Sequence, residues 1–189
     1  EGAFALTNYS IPAVGSPVFG VEGYRAVALE IVASGCLPDH LLVPTARGDL
    51  LWGIYSGLRD LLAAGLLERM PKLWAVEPFP RLSRVLAGAS LQAEFPGQTA
   101  QFSIAGSTVT LQQQLAVQQS GGGALIVSDA EAAQGVARLG AHGFWVELCA
   151  GACYSALQRL REQGQVGPSQ HALLVLTAKG DRDPFNPIA

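Results

Sequence analysis

Between Leu41 and Leu58 the sequence reads LLVPTARGDLLWGIYSGL, an apolar run, a short polar turn and then an amphipathic stretch. A strand turning into a helix presents backbone N–H groups and the positive end of the helix dipole to whatever sits at the turn. That layout suits a phosphate or another anion. The composition of the turn suits it less. It holds one glycine, Gly48, with Ala46 and Arg47 before it and Asp49 after it. Ala46 adds a methyl group and disfavours left-handed backbone. Asp49 brings a carboxylate close to any bound anion, where like charges repel by roughly 1 kcal/mol in water and about 4 kcal/mol at an effective dielectric of about 20. Arg47 can offset that repulsion by donating to the anion. Without an anion, Gly48 is an ordinary turn glycine and Asp49 an N-cap for the following helix.

Other chemically able residues are sparse. Cys149 and Cys153 stand at helical i, i+4 spacing, but no third or fourth ligand lies nearby, so the sequence argues against a metal centre. The odd count of three cysteines fits a reduced, cytoplasmic chain better than a disulfide framework. There are two lysines, Lys72 and Lys179, which limits chemistry that needs an amine nucleophile. A net charge of −3 with scattered arginines excludes electrostatic binding of nucleic acid or of an anionic membrane. The longest apolar runs fall far short of the ~20 residues of a membrane span. The sequence opens on Glu1 without a methionine or a signal-peptide pattern and reads as a processed or excised piece.

The elements that must position these residues alternate along the chain. Residues 1–20 are rich in Gly, Pro, Ser and Asn and read as an extended arm, leaving 21–189 as one α/β domain. VEGYRAVALEIVASG has a helix pattern with Tyr24, Val27, Ala28 and Ile31 on one face and Gly35 as its C-cap. DHLLVPT predicts a strand and LLWGIYSGLRDLLAAG a helix. PKLWAVEP predicts a strand, PRLSRVLAGAS a helix opened by Pro80, and LQAEFPGQTAQFSIAGS a loop. TVTLQQQLAVQQSGG predicts a helix and ALIVS a strand. SDAE, Ser128 to Glu131, is a capping box opening another helix. FWVE then reads as a short strand, AGACYSALQRLREQG as a helix and HALLVLT as the last strand. Short strands that are apolar throughout and separated by helices predict an α/β, three-layer sandwich around a buried, mostly parallel sheet. Ligands of such sheets gather at the strands' carboxyl ends, here Thr45–Asp49, Glu77, Ser128, Glu147 and Thr177–Asp181.

Taken in order, roughly from residue 20 to 184, five segments resemble the C-terminal half of threonine synthase and its relatives, the fold-type-II enzymes that use pyridoxal phosphate. EGYRAVALEI resembles the family's EG-x-K-T-x-A-x-E-I helix. VPTARGDLLWGIYSGL resembles the V-P-x-G-x-G-G strand–turn–helix that holds the cofactor phosphate. PKLWAVEP, the run from SGGGALIVSDAE to FWVELCAGACYSAL, and LLVLTAKGDRDP resemble three further landmarks in the family's order.

The resemblance implies the large-domain half of a fold-type-II fold and a pyridoxal phosphate site. Thr177 would hydrogen-bond the ring nitrogen and leave it unprotonated. Ala46, Arg47, Gly48 and Asp49 would face the phosphate, and Glu147 would lie near the ring edge. It implies β- or γ-elimination and replacement on an amino-acid substrate, and a homodimer, since relatives often pair through this domain. Each assignment has a plain structural alternative: Thr177 is a β-branched strand end, and Glu147 favours a helix N-terminus. Two departures stand out. The family places glycines where Ala46 and Asp49 stand. Its Schiff-base lysine lies in an N-terminal half, which this sequence does not contain, so the chain alone is expected to be inactive. A missing N-terminal half or a partner subunit would complete the site. The other reading is a non-catalytic relative that serves as a binding or assembly module.

Overall fold

A computed structural model describes residues 18–183. Most of the arm expected over 1–20 therefore lies outside the described residues, while Val18 to Gly20 already belong to a helix. The first helical stretch starts earlier than its pattern predicts and breaks in two, α1 (Val18–Glu22) and α2 (Arg25–Ala33). The break falls at Gly23 and Tyr24, where the chain passes close over α3 (Asp49–Ala63). A Cβ at Gly53 would lie 2.4 Å from that of Tyr24, and one at Gly57 would lie 2.7 Å from that of Ala28. Glycines on α3 thus let the two helices approach. Tyr24 is more exposed than its place on the apolar face predicts, whereas Ala28 and Ile31 are buried.

The four strands are β1 (His40–Pro44), β2 (Lys72–Glu77), β3 (Gly123–Ile126) and β4 (Ala172–Leu174), with order β3-β2-β1-β4 and all pairs parallel. Parallel neighbours need a crossover. Here α3 links β1 to β2, the short α4 (Leu82–Leu86) and α5 (Leu111–Ser120) link β2 to β3, and α6 (Asp129–Ala141) and α7 (Leu148–Glu162) carry the chain back across to β4. Alternate strand residues point to opposite faces. Leu41, Val43, Leu73 and Ala75 pack with Ile54, Leu58 and Val117 of α3 and α5. Leu42, Trp74 and Val76 pack with Val136, Ala156 and Leu160 of α6 and α7. Both faces of β1 and β2 are covered, which is the three-layer α/β sandwich. It also explains why those strands are apolar at every position.

Three local expectations change. FWVE is not a strand, because Phe144 and Trp145 are exposed and Val146 makes only an isolated antiparallel bridge to Lys179. The segment bonds to the turn after β4 instead, through Glu147 N to Ala178 O (3.1 Å) and Gly180 N to Trp145 O (3.3 Å). The last strand is shorter than HALLVLT, since its pairing with β1 ends as Val175 N donates to Leu42 O. Pro80 lies outside α4. The Glu77 carboxylate accepts from the N–H groups of Arg81, Leu82 and Ser83 and opens that helix in its place. The Ser128–Glu131 capping box forms as the sequence predicts. Among the described residues no helix is long and apolar enough to cross a membrane.

Helices α6 and α7 meet through facing glycines. A Cβ at Gly135 would fall 2.0 Å from the Gly151 carbonyl oxygen, whereas one at Gly140, on the same helix, meets open space. Gly135→Ala is therefore expected to destabilise the fold by about 2–3 kcal/mol through overpacking against backbone. Gly140→Ala should stabilise it by roughly 0.5–1 kcal/mol through helix propensity. Urea unfolding midpoints of the two variants check the contrast.

Candidate functional site

The chain leaves β1 outwards through β2 and β3 and returns on the other side for β4, so the sheet reverses its direction of growth between β1 and β4. In open parallel sheets ligands bind outside the carboxyl ends of the strands at such a switch point. A cleft of about 340 Å³ lies there, lined by Ala46, Arg47, Gly48, Asp49, Glu147 and Thr177. All six residues singled out in the sequence thus converge, although up to 131 positions separate them. A larger hollow of about 470 Å³ is formed by α6, α7 and His142 alone. No strand end reaches it, so the switch-point cleft is the better candidate.

The turn after β1 is tied down from behind. Arg81 donates to the carbonyls of Thr45 (2.8 Å), Ala46 (3.4 Å) and Gly106, and Thr110 Oγ1 donates to the Arg47 carbonyl (2.7 Å). In a trans peptide the C=O and the next N–H point in opposite directions. The N–H groups of Ala46, Arg47 and Gly48 therefore point away from Arg81 and Thr110. The N-terminus of α3, fifteen residues long, begins directly after them. Successive N–H groups at a helix N-terminus make a concave, electropositive spot. The geometry fits an anion such as a phosphate.

The turn also explains its single glycine. Gly48 has φ +89°, and no other residue of the turn needs a positive value, since among the described residues every positive φ belongs to glycine. Ala46 and Asp49 thus fit without backbone strain. Gly48, not Asp49, is the N-cap of α3, which corrects the capping alternative: Asp49 is the first helical residue. Its negative charge there favours the helix dipole.

The opposite wall is built from Glu147, the buried N-cap of α7, and Thr177, beyond β4. Thr177 Oγ1 donates to Glu147 Oε1. The bond fixes the Thr177 hydroxyl at the cleft wall beside Glu147. Sequence reasoning missed Tyr24, Ser103, Gly106 and Cys149, which also line the cleft. Ser103 and Gly106 belong to a stretch with no period, so no pattern marked them. That stretch is anchored by Asp129, which accepts from Thr99 Oγ1 (2.5 Å), Ala100 N (2.7 Å) and Gln101 Nε2 (3.0 Å). Burial, with a smaller push from the Glu147 charge, raises the Cys149 thiol to about 12. Neither Lys72 nor Lys179 lines the cleft.

Residues 1–178 match the family model described as pyridoxal-phosphate dependent enzyme. Among curated proteins the chain is similar to threonine synthase of Methanocaldococcus jannaschii, 25% identical over 175 residues, covering 88% of this chain and 43% of that protein. The chain spans less than half the length of the curated relatives it matches. Among solved structures it resembles an L-serine ammonia-lyase from Rhizomucor miehei, with TM-score 0.71, 23% identity, and 89% of this chain and 55% of that one covered. It also resembles the processed form of threonine deaminase isoform 2 from Solanum lycopersicum, with TM-score 0.69, 14% identity and coverage of 85% and 46%. Both structural likenesses establish the fold.

Two predictions follow from the cleft walls. Cys149 and Cys153 are buried and Cys36 is exposed, so a thiol reagent should label one cysteine in the native protein and three in denaturant, read by intact mass. Burial opposes ionisation of Asp129, but the hydrogen bonds from Thr99, Ala100 and Gln101 outweigh it and hold the carboxyl below its ordinary 3.8. A depressed carboxylate stabilises the fold above its unfolded value and loses that contribution as pH falls through the folded one. Asp129→Asn should therefore cost about 1 kcal/mol near neutral pH, a figure kept small by water screening at this half-buried site. The difference from wild type should shrink below pH 3.8, as followed by urea unfolding across pH.

Proposed function

Since this chain belongs to the family of pyridoxal-phosphate dependent enzymes, we propose that it contributes the phosphate-binding and ring-facing half of a threonine-synthase-like cofactor site. The observation that supports this reading is the convergence of Ala46–Asp49, Glu147 and Thr177 on one cleft at the switch point of the sheet. The N–H groups of Ala46 to Gly48 and the start of α3 hold the phosphate, with Arg47 as a further donor. Asp49 is tolerated at the edge of this array, where the helix dipole offsets its charge. Glu147 orients Thr177. Thr177 would face the ring nitrogen with its hydroxyl, which is hydrogen-bonded to Glu147.

The cofactor, when bound, supplies the electron sink for β- or γ-elimination and replacement on an amino acid such as O-phosphohomoserine, serine or threonine. Proton transfer at the substrate needs a lysine, and neither lysine of this chain lines the cleft. That lysine, and the groups binding the substrate carboxylate, come from a segment that completes the site: an N-terminal half or a partner subunit. Pairing of two such units into a homodimer and a cytoplasmic setting complete the proposal. The three free cysteines are in keeping with a reducing compartment. A second reading, a non-catalytic relative used for binding or assembly, draws on the carboxylate of Asp49 in the cleft and on the absence of a lysine from its lining.

A titration with pyridoxal phosphate, with and without borohydride, separates the readings. Saturable binding that borohydride does not make covalent, and that is unchanged in Lys179→Ala, is the expected outcome. Failure to bind would favour the non-catalytic reading. Covalent trapping that disappears in Lys179→Ala would instead make this chain the source of its own lysine.

A further inference from the structure

Phosphate turns that approach an anion through their backbone usually rely on several glycines, because glycine lets each peptide rotate freely. The turn Thr45–Asp49 has one, and its peptides are oriented nonetheless. The orienting group is Arg81, 1% exposed and among the largest side chains fully buried in the protein. Its planar guanidinium carries donors on a rigid fork. Nη2 takes the Thr45 carbonyl at 2.8 Å, and Nη1 takes those of Ala46, at 3.4 Å, and Gly106. One side chain thus holds three carbonyls from two separate walls of the cleft.

Burying a guanidinium is expensive unless it is paired and hydrogen-bonded. Glu77 answers that demand, with its carboxylate 3.6 Å from Arg81 Nε and 2% exposed. Burial lowers the Arg81 pKa, and the Glu77 charge opposes the drop. Glu77 is itself fixed by the N–H groups that open α4, so the arginine sits on a rigid base. Phe79 covers the guanidinium face with its ring centroid 5.0 Å away. So costly an arrangement aimed wholly at carbonyls of the cleft turns has a use beyond packing, which apolar residues would serve as well.

We infer that Arg81 is the positioning residue of the anion site: by holding the carbonyls of Thr45, Ala46 and Gly106, it turns the Ala46 and Arg47 N–H groups towards a bound phosphate and replaces the missing glycines. The inference rests on the proposed phosphate role of the cleft. It does not make Arg81 a ligand of the phosphate, because the guanidinium lies behind the peptides that would touch it.

The test compares pyridoxine phosphate with pyridoxine, neither of which carries the aldehyde that reacts with lysines, by calorimetric titration of the full chain. Wild type is expected to prefer the phosphate ester. Arg81→Lys keeps the charge but loses the planar fork. It should reduce that preference about tenfold, equivalent to losing one or two neutral hydrogen bonds, and leave pyridoxine affinity unchanged. A role in stability alone would lower both affinities together or neither. If Arg81→Lys does not fold, the double variant Glu77→Gln/Arg81→Met removes both buried charges and leaves no unpaired ion. It should show the same selective loss. An unchanged preference in a folded variant overturns the assignment of Arg81 and leaves the phosphate reading standing. A wild-type chain that does not distinguish the two ligands overturns the phosphate reading and the role of Arg81 with it.

Discussion

Buried main-chain carbonyls must find donors, and in this protein that demand shapes the candidate site. The strand β1 ends at Pro44 and α3 begins at Asp49, and the peptides between them cannot satisfy one another. Arg81 reaches two of the intervening carbonyls from beneath and Thr110 takes a third. An orphaned carbonyl in such a place would cost roughly 1–3 kcal/mol. Satisfying the carbonyls from one side commits the N–H groups to the other. The electropositive face of the turn is therefore a consequence of how its oxygens are bonded, more than of the residues it displays.

The same demand accounts for the Glu77–Arg81 pair. A buried ion pair is weak evidence for stability, since desolvation offsets most of its attraction. Its use is orientation. Glu77 accepts from the N–H groups of Arg81, Leu82 and Ser83, which have no partner inside the helix they open, and it holds Arg81 in register with the turn. Strand β2, helix α4 and the cleft are thereby mechanically one unit. The long aperiodic stretch after α4 is drawn into that unit as well, with Gly106 held by Arg81 and residues 99–101 held by Asp129.

The opposite wall follows from topology. Because β4 returns beside β1, the end of the last strand and the start of α7 arrive across from the turn. Glu147 and Thr177, thirty positions apart, meet there as a bonded pair. Neither residue is distinctive by type. The helix start at Glu147 was legible, but Thr177 lies three positions past the shortened β4, and the bond between the two was not legible. The FWVE segment shows the reverse case. Its apolar composition suggested a strand, yet it makes a single isolated bridge, to Lys179, and settled against the turn after β4.

By itself the sequence determined the α/β class, the alternation of helices with the four strands that form, the capping box at Ser128 and the position of the turn at Ala46–Asp49. Those features rest on periodicity and on hydrogen bonds between residues close along the chain, which local patterns encode. Tertiary structure alone decided that Gly48 is the one residue of the turn with a positive φ, that Arg81 turns inwards to bond carbonyls 35 and 36 positions away, and that Ser103 and Gly106 complete the cleft. An arginine at the start of a short helix looks like a surface residue. Only the packed fold, by removing water from around it, makes its guanidinium seek the carbonyls that shape the site.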